Sequence, residues 1–276
     1  MNSVRATQRA GPGFRRLVIL VLCGAVLCAA TASSPTRETG FLDRTVTVSA
    51  TTYRYQVYVP VEWNKKTKSP VVLFLHGAGE RGDNGLFQTE LGVGRAIRRQ
   101  TNLTPSLVVF PQCHKDAWWT DPQMEAMALK ALEQTIKEFH GDPRRVYLTG
   151  LSMGGYGTWS FAARHPGRFA ALALVCGGIR TPSTIPLPPV STAADPYADT
   201  AQRVGKTPVW VFHGSADPVI PVTESRKMVE ALKAAGGNVR YTEYEGAGHN
   251  VWEKAYAEPE LFPWLLSQTI ITGSNK

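Results

Sequence analysis

The chain has little cysteine, no apolar stretch long enough to cross a bilayer, no internal repeat and no basic block interleaved with aromatics. Four cysteines stand among 276 residues, and Cys23 and Cys28 fall in an N-terminal stretch with the features of a leader. A disulfide-built scaffold is therefore excluded, and a hydrophobic core must hold the fold. The longest apolar run, Leu17 to Ala30, is about 14 residues against the ~20 that a spanning helix needs. Without clustered lysine, arginine and aromatic side chains, nucleic acid is not an expected partner. Without repeats or a composition-biased linker, neither a solenoid nor a second domain is expected.

What is present begins with export. Arg5, Arg9, Arg15 and Arg16 precede the apolar run and Ala30-Thr31-Ala32 follows it, the pattern of a secretory signal over residues 1–32. Arg15-Arg16 has Phe14 before it, where a twin-arginine signal prefers Ser or Thr. Leu22 and Leu27 precede the two cysteines, where a lipoprotein site needs a small residue. A secreted or periplasmic protein is expected, touching a membrane only through an uncleaved leader. The leader holds four of the 30 Lys and Arg and none of the 22 acids, leaving 26 bases against 22 acids, a solubility feature. Residues 33–276 suit a single α/β domain.

Arg44–Val48 and Tyr53–Val59 alternate with period two across a short link and predict an antiparallel edge pair closed by Pro60. Val71–Leu75, Leu107–Phe110, Val146–Thr149, Leu172–Val175, Val209–Phe212 and Val239–Tyr244 follow, mostly as continuous apolar runs with helical segments between them. Strands covered on both faces read this way, so the expected fold is a doubly wound, mostly parallel sheet without a large lid. Asp121-Pro122 predicts an N-cap and first helical residue for a helix to about Phe139, and Gly236-Gly237 closes another from Thr223 to Ala235. The stretch from Gly178 to Pro208, rich in Pro, Ser, Thr and Ala, predicts a loop excursion with a short helix near Asp199–Val204.

The chemistry gathers where these strands end, because ligands of an open parallel sheet bind at its carboxyl edge. Arg145–Thr149 runs into Gly150-Leu151-Ser152-Met153-Gly154-Gly155 and then a helical stretch, a strand, sharp elbow and helix that would expose the Ser152 hydroxyl. After the first parallel strand comes His76-Gly77-Ala78-Gly79-Glu80. His213-Gly214-Ser215-Ala216-Asp217 follows a later strand, and Gly246-Ala247-Gly248-His249 follows the last. A serine hydroxyl needs an imidazole base, which in turn needs a carboxylate to fix its tautomer. Ser152, Asp217 and His249 fit as nucleophile, acid and base, in an order that fits an α/β-hydrolase. His114 is the rival base, and Asp195 and Asp199 are the rival acids. The Ala78 and Met153 amides are the expected oxyanion-hole donors.

Together with Pro111-Gln112-Cys113, Trp118-Trp119, Tyr156-Gly157-Thr158-Trp159, Cys176-Gly177-Gly178 and Trp210-Val211-Phe212, these motifs resemble the phospholipase/carboxylesterase-type α/β-hydrolases. The nearest branch is the exported esterases often labelled predicted peptidases, related to feruloyl and acetyl-xylan esterases. The resemblance spans about residues 43 to 267 and implies a metal-free serine esterase without cofactor, with its triad on Ser152, Asp217 and His249. The substrate it implies is a small-molecule or polysaccharide-linked ester. A serine peptidase of the same fold and a catalytically silent binding protein are the alternatives. Trp118, Trp119 and Trp252 are candidate aromatic walls of the cleft, with the alternative that Trp118 or Trp119 packs under its loop. Two readings of Glu80, with Arg81 and Asp83, stand together: polar substrate contacts, or an internal ion pair bracing the glycine turn. Cys113 and Cys176 follow strands that two others separate in the expected order. Three spacings of ~4.8 Å hold those ends about 14 Å apart, too far for the ~7 Å Cα separation that a disulfide allows. Two free thiols are expected.

Overall fold

The protein, seen in a computed structural model, is described over residues 38–183 and 185–270. The leader expected over residues 1–32 lies outside these. Eight strands form one sheet in the order β1-β2-β4-β3-β5-β6-β7-β8. β1 (Gly40–Val48) and β2 (Thr51–Val59) make the antiparallel hairpin, with Val46 opposite Tyr53. β2 also runs antiparallel to β4 (Leu107–Pro111). From β4 onward, β3 (Ser69–Leu75), β5 (Gly141–Leu151), β6 (Ala171–Val175), β7 (Val209–Gly214) and β8 (Val239–Tyr244) are all parallel.

Successive side chains of a strand point to opposite faces, and β3 shows what each face buries. Val71, Leu73 and Leu75 pack with α2 (Pro122–Glu138), α3 (Met153–Arg164), α4 (Pro196–Val204) and α5 (Thr223–Ala234). Val72 and Phe74 pack with α1 (Gly92–Arg99), α6 (Trp252–Ala255) and α7 (Leu261–Ser267) on the other side. Each of these five side chains is at most 1% exposed, which at about 1.5–3 kcal/mol apiece makes the continuous apolar run self-explanatory. Among the described residues no helix is long and apolar enough to cross a membrane.

Two expectations need correction. β5 starts at Gly141, earlier than the apolar run: Gly141 pairs with Ser69 and Val146 with Val71, so the intervening residues, including Pro143, bulge out of the ladder. Asp121 precedes α2, but its side chain makes no cap; it accepts the Trp118 amide at 2.7 Å instead and shapes the loop before the helix.

Candidate active site

At the end of β5 the backbone reverses through Ser152 at φ +52°, ψ −116°, a conformation that costs a non-glycine residue about 1–3 kcal/mol. The flanking glycines permit it. A Cβ on Gly150 would stand 2.3 Å from the Gly154 carbonyl oxygen, and one on Gly154 would stand 1.9 Å from the Leu75 oxygen. The elbow is thus held against both its own helix and β3. Ser152 lies at the N-terminus of α3, where aligned peptide dipoles favour developing negative charge.

The loops after β7 and β8 bring Asp217 and His249 to this serine. His249 Nε2 is 2.9 Å from Ser152 Oγ and Nδ1 is 2.7 Å from Asp217 Oδ2. With the ring neutral, Nδ1–H donates to the carboxylate and Nε2 accepts the serine proton. Asp217 Oδ1 accepts the Val219 and Ile220 amides at 2.8 and 2.9 Å, and Oδ2 also faces His213 Nε2 at 3.2 Å. Burial disfavours the charged carboxylate, but hydrogen bonds from His213, His249 and the two amides outweigh it and hold its pKa well below the usual range.

His213, at the head of the loop that carries Asp217, is a contributor that the sequence alone does not single out. It is fully buried, its Nε2 also facing Ile220 O at 2.9 Å while its Nδ1 is 2.7 Å from Ser225 Oγ at the start of α5. Its signal was the spacing of four from Asp217 across a turn. The rival groups are engaged elsewhere: His114 packs edge-on against Tyr53, Asp195 caps α4, and Asp199 accepts from Ser191 and Arg203.

Ala78 and Met153 are the first residues of a single 3₁₀ turn and of α3, so their amides have no acceptor within those helices. The glycine turn is pinned by buried His76: the Cys113 amide donates to Nε2 at 3.0 Å, leaving the proton on Nδ1, which donates to Gly77 O at 2.6 Å. Burial pushes the His76 pKa down to about 4, so the ring is neutral.

The expected substrate contacts divide. Trp119 is fully buried, donates Nε1–H to His76 O at 2.9 Å and packs edge-on to the His76 ring, so it braces the turn and offers no face to a substrate. Glu80 is also turned inward. A Cβ on Gly77 would lie 3.0 Å from its Oε2, and burial raises its pKa while the Gly77 and Glu80 amides act the other way. Among the described residues it makes no ion pair, so it braces the turn through the backbone. Trp118 remains part-exposed beneath the Arg81 guanidinium, 4.5 Å from ring centre, and Trp252 meets His249 edge-on at 5.5 Å. Cys113 and Cys176 are both free and buried.

The strand order, the elbow and this Ser–His–Asp chain define an α/β-hydrolase. Residues 111–259 match the dienelactone hydrolase family, and the chain belongs to that family. It is similar to the poly(3-hydroxyalkanoate) depolymerase C of Paucimonas lemoignei, at 26% identity over 248 residues, covering 79% of this chain and 57% of the relative. A thermostable esterase of known structure superposes with a TM-score of 0.71 at 32% identity, covering 83% of this chain and 63% of the other. A ferulic acid esterase structure shares the fold, with a TM-score of 0.61 at 20% identity over 82% of this chain and 97% of its own. The chain thus spans less than two thirds of the length of the first two.

Proposed function

We propose that the protein is an exported serine carboxylic-ester hydrolase acting on small or carbohydrate-linked acyl esters. One observation carries the reading: the unbroken hydrogen-bond chain from Ser152 Oγ through His249 to Asp217 Oδ2. In this reading Ser152 Oγ attacks the ester carbonyl as His249 Nε2 takes its proton, and Asp217 holds the imidazolium that forms. The tetrahedral oxyanion accepts from the Ala78 and Met153 amides, each such donor supporting the transition state by about 3 kcal/mol. His249 then returns the proton to the leaving alcohol, and a water activated by the same nitrogen releases the acid. Aromatic faces at Trp118 and Trp252 suit an aryl or sugar moiety. The similarity to a poly(3-hydroxyalkanoate) depolymerase supports ester bonds carried on larger molecules. Residues 33–276 form the catalytic domain and 1–32 the signal that exports it.

The test is a fluorophosphonate label mapped by peptide mass spectrometry, beside a panel of acetyl, butyryl and feruloyl esters with a matching anilide. An adduct on Ser152 and preference for ester over anilide are expected. Labelling elsewhere, or faster anilide cleavage, would overturn the reading.

A further inference from the structure

The residue that ends the strand beside the elbow has no part in this chemistry, yet it is held in an unusual place. Cys176 follows β6 with φ +41°, in the left-handed region that disfavours a side chain, and its thiol is fully buried. Its Sγ, a carboxylate oxygen of Asp217 and a ring nitrogen of His249 all lie within 4.8 Å of one another. Among the described residues this is the single grouping of at least three such donors around one point.

We propose that Cys176, His249 and Asp217 form an inhibitory site for a thiophilic divalent cation, of the zinc and cadmium kind. The donor set is a soft sulfur, a borderline nitrogen and a carboxylate oxygen, which suits these ions. It gives magnesium and calcium none of the six or more oxygens they need. Metal–ligand distances of about 2.0–2.3 Å put neighbouring donors of a tetrahedral ion ~3.5 Å apart, so separations that reach up to 4.8 Å close by about 1 Å, while the 2.7 Å pair of His249 Nδ1 and Asp217 Oδ2 opens if those two atoms bind. Water or Ser152 Oγ takes the fourth position. On binding, the Cys176 S–H bond breaks, a sulfur–metal bond forms and the proton leaves to solvent. One thiolate and one carboxylate then neutralise the dication, so no net charge is buried, the condition that a site of low polarity imposes. The ion reaches it past His249, whose side chain is 18% exposed.

Whichever ring nitrogen binds, the triad is lost. Coordination at Nδ1 moves the ring proton to Nε2 and breaks the hydrogen bond to Asp217, and coordination at Nε2 takes the lone pair that receives the Ser152 proton. Binding stands without the esterase reading, whereas inhibition rests on it, so the experiment measures both.

Cadmium chloride is titrated into the purified protein while thiolate-to-cadmium charge-transfer absorption and hydrolysis of an acetyl ester are followed in parallel. One ion per chain is expected, with inhibition tracking the absorption and EDTA reversing both. Ser152→Ala keeps the absorption titration although it is inactive, which separates failure of the site from failure of the esterase reading. Cys176→Ser stays active, loses the absorption and needs at least about tenfold more cadmium for inhibition, while Cys113→Ser behaves as the parent. His249→Ala, read by absorption alone, weakens binding by about tenfold or more, and serves if Cys176→Ser does not fold. Equal cadmium sensitivity in Cys176→Ser, or unchanged binding in His249→Ala, overturns the proposal.

Discussion

Asp217 shows how much of this site is decided by single atoms. Its Oδ1 takes two backbone amides while Oδ2 faces two imidazole nitrogens, so the two oxygens are not equivalent. In Asp217→Asn the amide oxygen stays with the Val219 and Ile220 amides, and the NH₂ group takes the Oδ2 position. It then donates to His249 Nδ1, which forces the ring proton onto Nε2, where it cannot accept from Ser152. A loss of kcat of about 10⁴-fold is expected in ester hydrolysis, with KM little changed. Asp195→Asn leaves kcat as it was, and the reverse pattern would move the acid. Ser152→Ala removes the proposed nucleophile without touching this network. Hydrolysis is expected to fall to the residue supported by the oxyanion donors and binding, and fluorophosphonate labelling to vanish at an unchanged Tm. Labelling that survives the substitution would show another nucleophile.

At the scale of elements, the site depends on how closely α3 crosses β3. The 1.9 Å approach that a Gly154 side chain would make is to a backbone carbonyl, which no rotamer change relieves. Gly154→Ala is therefore expected to destabilise the fold by about 3 kcal/mol, the upper end of overpacking costs. Urea unfolding checks this, and a variant within 0.5 kcal/mol of the parent would mean that the helix shifts freely. Strands and elbow were legible in the sequence because burial on both faces leaves a continuous apolar run, and because a tight crossing leaves only glycine. The carboxyl ends of those runs then led to Ser152, Asp217 and His249. For Trp119 and Glu80 the sequence left two readings open, a place in the cleft or one beneath the glycine turn. An aromatic or an acid on a loop reads the same whether it faces the cleft or folds beneath it. Only the tertiary packing of Trp119 against His76, and of Glu80 against the Gly77 turn, decides between these. The start of β5 at Gly141 was hidden for a similar reason, since a bulge containing Pro143 looks like a loop until its partner strand is known.

For the molecule as a whole, buried groups beside the site couple stability to pH. His76 has a pKa of about 4 in the fold against 6.5 ordinarily, because burial disfavours its charged form. Between these values the unfolded chain binds a proton that the folded chain refuses. The sign follows directly: stability is intact above about pH 6.5 and drains away as pH falls toward 4, by about 3 kcal/mol in all. Asp217 adds a second, more acidic loss, because its folded pKa lies below the ordinary value and its contribution, present above about pH 4, falls once the unfolded carboxylate begins to protonate. Urea unfolding from pH 7.5 to 4.5 should therefore show stability falling from about pH 6.5 downward, well above the range in which Asp217 contributes its loss. His76→Gln keeps an acceptor for the Cys113 amide but cannot take up a proton. It is expected to be less stable than the parent at pH 7.5 and to lose less on acidification, so that the two curves converge near pH 4.5. Parallel curves across the whole range would place the acid sensitivity in some other group.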